Sequence, residues 1–250
     1  MKKIIAIVNH KGGVAKTTTA SSMASILQSE GKKVLIVDLD AQCNLTDTFL
    51  TERPVKTIYE SFMDPSVNCV CQIKENLDIL PASINLSAID AILGARMEKE
   101  MILSDILEPI KDDYDIIILD CPPALSVITV NALVAATDVL IPIMPEYYAL
   151  KGLIQITDII NRVQKRLNRN LKLSGLIVTR FNATKNMHVS VDSKIREHYK
   201  ELVMTTRIRE NIKLAECPMY QRNIVDYAPT SNGAIDYKEL TKEIIKKLEL

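Results

Sequence analysis

An α/β fold, built on a single doubly wound, mainly parallel β-sheet flanked by helices, is the architecture this sequence predicts. Three observations carry the prediction. Short, nearly continuous Val/Ile/Leu runs alternate with longer stretches of helical periodicity, the connections between them are short, and no repeat or Pro/Gly/Ser-rich linker divides the 250 residues. Strands covered on both faces need apolar side chains at successive positions, and strands that alternate with helices pair in parallel through crossovers. One domain spanning 1–250 is expected, opening directly on its first strand with no N-terminal helix-turn-helix arm.

The strands are expected at 3–8 (KIIAIV), 33–39 (KVLIVDL), 77–80 (LDIL), 115–119 (DIIIL), 138–144 (DVLIPIM) and 172–179 (KLSGLIVT). Between them, apolar residues spaced three and four apart predict helices at 17–29, 86–110, 127–136, 150–167 and 189–201. The tail YKELTKEIIKKLEL puts Leu240, Ile244 and Leu248 on one helical stripe. It has no Phe or Trp for a bilayer interface, and Glu239, Glu243 and Glu249 interrupt its basic face, so packing onto the body is expected rather than membrane anchoring.

Composition narrows the class further. Lys and Arg total 31 and so do Asp and Glu, so no global field advertises a polyanionic partner. The distribution is uneven, because Arg162, Lys165, Arg166, Arg169, Lys172, Arg180 and Lys185 fall in a stretch, 159–191, without an acid. Such a run is either a solvated helix face or a surface for phosphate backbone. No apolar run is long enough to span a membrane and the N-terminus lacks a cleavable leader pattern, which gives a cytoplasmic expectation. The five cysteines, at 43, 69, 71, 121 and 217, have no CxxC spacing and argue against a disulfide framework.

The chemistry is concentrated in NHKGGVAKTTT, residues 9–19, between the first strand and the first helix. Gly12 and Gly13 let the backbone turn tightly and approach phosphate oxygens, while the amides from Val14 and Ala15 through Lys16, Thr17 and Thr18 run into a helix N-terminus that favours anions. Lys16 would neutralise β and γ phosphates, and the Thr17 hydroxyl would ligate Mg²⁺. VDLDAQCN places Asp38 and Asp40 two residues apart at the end of the second strand, and DIIILDCPP places Asp120 after a third apolar strand. Acids at strand ends beside a phosphate loop can hold Mg²⁺ through water and orient an attacking water.

With these residues the chain resembles the ParA/Soj/MinD group of deviant Walker A ATPases, and within it the short, Soj-like ParA partition ATPases. HKGGVAKTTTA, KVLIVDLDAQCNLT, LEPIKDDYDIIILDCPPALS, NALVAATDVLIPIMPEYYALKGL and IRENIKLAECP carry the similarity over essentially the whole chain. The resemblance implies that Lys16 is the phosphate lysine, Thr17, Asp38 and Asp120 form the Mg²⁺ shell, and Asp40 positions water. Lys11 falls on the group's signature lysine, which reaches across a nucleotide sandwich homodimer to the partner's phosphates. Arg180, in TRFN, and Pro218 fall on segments that line the adenine pocket, and Arg207, Arg209 and Lys213 near positions that help bind nonspecific DNA. ATP and Mg²⁺ as cofactors, a ParB-like centromere-binding partner that stimulates hydrolysis, and no membrane association complete the expectation.

The chain departs from the group's pattern in two places. Ala15 stands where a glycine usually precedes the phosphate lysine, and DLDAQCN replaces DxDPQGN, with Ala41 and Cys43 for Pro and Gly. If position 15 needs a positive φ, its Cβ costs about 1–2 kcal/mol. Other readings remain open at this level. They are a MinD-like membrane-positioning ATPase, a nucleotide-binding regulatory module with little hydrolysis, and an iron-sulfur reductase, for which Cys69 and Cys71 fit poorly. Cys121 reads as a small packing residue, and Tyr147 and Tyr148 of PEYYAL read as core packing beside the site, with a partner contact at the dimer edge as the second option.

Overall fold

A computed structural model describes residues 2–94 and 96–250. Its seven strands are β1 (Lys3–Ile7), β2 (Val34–Asp38), β3 (Cys71–Lys74), β4 (Leu77–Leu80), β5 (Ile116–Asp120), β6 (Asp138–Ile143) and β7 (Lys172–Val178). They form one sheet in the order β3-β4-β2-β5-β1-β6-β7, parallel except for the edge hairpin β3-β4. The chain leaves β1 towards β2 on one side and reaches β6 on the other. The carboxyl ends of β1, β2 and β5 therefore border the crevice in which open α/β sheets hold ligands.

Period-two alternation within the strands builds a core on each face. Ile5 and Ile7 point to the side covered by α1 (Lys16–Ser29), while Ala6 and Val8 point to the opposite side. On the α2 (Asn44–Phe49) and α3 (Ile58–Met63) segment, Thr57 opens α3 with a reciprocal capping box to Glu60. Next come α4 (Ile89–Leu93), α5 (Ile102–Leu107), α6 (Val127–Ala135), α7 (Ala149–Arg166) and α8 (Asn186–Tyr199). The chain ends with α9 (Ile212–Glu216), α10 (Ile224–Tyr227) and α11 (Asn232–Leu248).

The expected strands are all present, with β3 added at the edge. The helix expected at 86–110 is instead broken into a 3-10 turn, α4 and α5. Glu98 has a left-handed φ of 56° that no α-helix continues, and the buried Asn131 of α6 accepts from the Leu103 amide and donates to the Lys99 carbonyl at 2.7 Å. That long-range capping starts α5 afresh. At the C-terminus, Tyr237, Leu240, Ile244 and Leu248 are buried in the core shared with α1, so the apolar stripe of the tail is spent on packing. Among the described residues no helix is long and apolar enough to cross a membrane.

Candidate functional site

The 9–19 loop is held from three directions. Asn9 donates to the Pro142 carbonyl of β6 at 2.7 Å and accepts from the Lys11 amide, while the Thr179 hydroxyl at the end of β7 donates to the Val14 carbonyl at 3.1 Å. Val14 is buried, which turns the loop's remaining backbone towards a cavity of about 730 Å³. Gly12, Gly13, Ala15, Lys16, Thr17 and Thr18 line that cavity on one side. Gly13 has a φ of 74°, which favours glycine, and a Cβ on Gly12 or Gly13 would meet no protein atom within 4 Å, so the space beside both is open.

Ala15 has φ 70° and ψ 34°, the left-handed region. Its carbonyl accepts from both the amide and the hydroxyl of Thr19, and that hydroxyl meets the buried Tyr237 hydroxyl at 3.1 Å. The conformation is thus pinned by α1 and α11. Cys43, at the second departure from the family pattern, is also left-handed, with φ 57°, and opens α2. Both substitutions fall where glycine is the unstrained residue.

Lys16 is buried, and its ammonium donates to the Lys11 carbonyl at 3.1 Å. Burial lowers its pKa, opposed by the charges of Asp120, Cys121 and Asp40. Asp120 is fully buried behind the loop, and both of its carboxylate oxygens lack a hydrogen-bond partner. Burial and then the charge of Asp38 push its pKa well up, while Thr17 and Lys16 pull it down; Thr17 stands beside it outside hydrogen-bonding geometry. An orphaned buried carboxylate is costly unless a cation completes it, so Asp120 and the Thr17 hydroxyl fit a hard divalent ion. Mg²⁺ takes one or two protein ligands, which a carboxylate and a hydroxyl can supply, alongside waters and phosphates.

Asp38 is buried too, but it is occupied. It accepts from the Thr46 amide and hydroxyl, at 2.8 and 2.7 Å, and from the Asp40 amide. Burial raises its pKa to about 6 against those hydrogen bonds. Its visible work is to tie β2 to the start of α2, leaving Asp120 as the carboxylate with free valence. Asp40 lines the cavity and is held by accepting from the Gln42 amide at 3.0 Å. Arg180 and Pro218 line the same cavity, on a wall that the C-terminal segments provide, with Arg180 at a left-handed φ of 50°. Sequence reasoning missed Arg222 and Asn223, which also line that wall and come from a segment without a motif of its own.

Lys11 is absent from the cavity wall. Its ammonium lies on the Glu146 carboxylate, in the loop between β6 and α7, and both side chains are exposed to solvent. Beside it, Tyr147 and Tyr148 contact each other edge to face and are 77% and 71% exposed, which corrects the expectation that they pack in the core. Cys121 is buried, as a packing residue should be, and Cys69 accepts a hydrogen bond from Ser61 inside the core.

The residues expected to contact DNA are engaged within the chain. Arg207 and Arg196 both grip the buried Asp192, Arg209 holds the buried Asp236 through Nε and Nη2, and Lys213 pairs with Glu216. Their charges are balanced within the chain, and a phosphate would have to compete. Arg162, Lys165, Arg166, Arg169, Lys172 and Arg180 are exposed and form no ion pair among the described residues.

Comparison with known proteins gives this geometry its family. A family model described as an AAA domain matches residues 2–173. The chain is 39% identical over 250 residues to the sporulation initiation inhibitor protein Soj of Bacillus subtilis, covering 98% of each. It is 36% identical over 246 residues to the chromosome-partitioning ATPase Soj of Thermus thermophilus, covering 98% of this chain and 96% of that one. The chain belongs to the Soj/ParA family of P-loop NTPases. Among solved structures, cobyrinic acid a,c-diamide synthase of Mycobacterium smegmatis with ADP and magnesium matches with a TM-score of 0.85 at 31% identity, covering 100% of this chain and 96% of that one. A plasmid partition protein of Borrelia burgdorferi bound to AMPPNP matches with a TM-score of 0.82 at 27% identity, covering 100% and 99%. Ala15, on the cavity wall, and Cys43, in the core at the start of α2, both hold side chains in the left-handed region.

Proposed function

We propose that the chain is an ATP-dependent dimerising switch for plasmid or chromosome partition. The observation that carries this is the division of labour between two lysines in one loop: Lys16 is buried at the cavity, and Lys11 stands outside it on Glu146. A single phosphate site needs one such lysine, so a second whose ammonium rests outside that site is available to the site of a second copy. In this reading Lys16 and the 12–18 backbone bind the phosphates, and Thr17 and Asp120 hold Mg²⁺, with Asp38 completing the shell through water. Asp40 orients the attacking water, and Lys11 of one copy neutralises charge developing on the nucleotide of the other. Mg²⁺, when bound, supplies charge neutralisation at the phosphates.

The ATP dimer then joins two basic surfaces. Nonspecific DNA is bound by the unpaired cations of the 159–191 stretch, joined by the free edges of Arg207, Arg209 and Lys213, with affinity that falls steeply in salt. A ParB-like partner stimulates slow hydrolysis, which dissolves the dimer and releases DNA. The burial of the apolar stripe of α11 favours this reading over a MinD-like membrane switch. DNA retention measured with ATP, ADP and no nucleotide tests it. Retention only with ATP is expected. Retention independent of nucleotide, or ATP-dependent binding to liposomes without DNA retention, overturns it.

A further inference from the structure

A second cavity of about 520 Å³ opens between α6 and α7, far along α7 from the nucleotide site. Val130 of α6 and Ile159 and Val163 of α7 give it apolar walls, and Leu125 and Leu167, each 45% exposed, stand at it. Arg162 and Arg166, one helical turn apart, also line it. Both guanidinium groups are exposed and have no acidic partner within the chain among the described residues. Among the described residues Glu100 is the one acid lining the cavity, and it pairs with neither. Apolar surface rimmed by charge in this way is the character of an interaction site.

We propose that this groove docks an acidic segment of a protein partner, which seats leucine-sized side chains between α6 and α7 and places carboxylates on Arg162 and Arg166. The volume lies in the range of ligand pockets. The planar guanidinium matches a carboxylate through two parallel hydrogen bonds, and apolar anchors rimmed by charge are the usual anatomy of a docking groove. A nucleic-acid backbone would satisfy the arginines but leave the apolar walls wet, which favours a peptide. The helix that carries both arginines, α7, begins beside the partner of Lys11. Its Gly152 also packs so closely on His10 that a Cβ there would come within 2.7 Å of the imidazole. The proposal goes beyond the partition reading and takes Arg162 and Arg166 out of its DNA surface, leaving the other unpaired cations of 159–191 to DNA; it uses no step of that reading.

The test is fluorescence anisotropy on the full chain with a short labelled peptide of glutamate and leucine in helical spacing. The controls are a glutamate/serine peptide, a lysine/leucine peptide and a labelled DNA duplex. Saturable binding of the Glu/Leu peptide is expected, weakened on the order of tenfold by Arg162→Glu/Arg166→Glu and by exchange of leucine for serine, with the lysine peptide unbound. The milder Arg162→Gln/Arg166→Gln variant should also lose affinity, which guards against a folding defect in the charge reversal. The proposal is overturned if the Glu/Leu peptide does not bind, if either double variant binds it as well as the parent chain, or if the glutamate/serine peptide binds equally. It is also overturned if the arginine substitutions abolish duplex retention while peptide binding persists, because the face would then belong to DNA.

Discussion

The Lys11 ammonium and the Glu146 carboxylate form an ion pair across the mouth of the phosphate loop, joining the end of β1 to the loop that follows β6. If Lys11 serves a second copy, this pair must open before the dimer closes, so each closure gives up a solvent-exposed ion pair worth about 0–1 kcal/mol. Glu146→Gln should therefore strengthen ATP-dependent dimerisation several-fold, while Lys11→Ala should abolish it and leave nucleotide binding by the monomer largely intact. Analytical ultracentrifugation with a slowly hydrolysed ATP analogue measures the first, and nucleotide titration the second. Dimerisation of Lys11→Ala at the parental affinity would remove the trans role.

The two left-handed side chains should respond differently to glycine. At Ala15 the cost of a Cβ at φ 70° is about 1–2 kcal/mol, partly offset in the variant by the greater freedom of glycine in the unfolded chain. Ala15→Gly should raise thermal stability modestly and tighten ATP binding or speed turnover several-fold. Cys43 is fully buried in the core, so Cys43→Gly relieves similar strain but removes a packed sulfur and should not stabilise. Melting temperatures and ATP titrations of both variants decide this. Identical constants in Ala15→Gly and parent would dismiss strain as a determinant of binding.

What was legible in the sequence was what is local. The β-branched runs fix the six strands expected from them, and KGGVAKTT carries its own turn and helix start. Thr57 to Glu60 displays a capping-box signature that could have located α3. The break between α4 and α5 was hidden because Asn131, which caps α5, arrives from a different helix. The pairing of Arg207 and Arg209 was hidden for the same reason: a basic run in sequence says nothing of Asp192 and Asp236 brought against it by α8 and α11. The left-handed conformation at 15 was deducible only conditionally, from a glycine expected there.

Asp38 makes stability depend on pH in a definite direction. Its folded pKa, about 6, lies above the ordinary 3.8, so the native state keeps a proton that the unfolded chain has released. The contribution of this group is fully present below about pH 4, is lost as pH rises through 6 and is flat above that. Asp38→Asn retains an acceptor for the Thr46 donors but cannot ionise. The melting temperature of the parent relative to Asp38→Asn, in Mg²⁺-free buffer, should therefore fall between pH 4 and 6 and stay level to pH 8. A difference constant across that window would mean that Asp38 titrates normally.

Arg209 and Asp236 separate a structural cation from a DNA-binding one. Arg209→Ala strips a buried carboxylate of its charged donors and should destabilise the chain by about 1–3 kcal/mol, seen as a lower midpoint in urea. Arg209→Ala/Asp236→Ala removes both charges and should recover part of that loss, because the orphaned acid is gone. If Arg209 also touches phosphate, the double variant, folded and dimerising with ATP, should still retain DNA poorly and show a salt slope about one unit shallower. Recovery of stability together with parental DNA retention would assign Arg209 to the fold alone and move the phosphate contacts to the unpaired cations of 159–191.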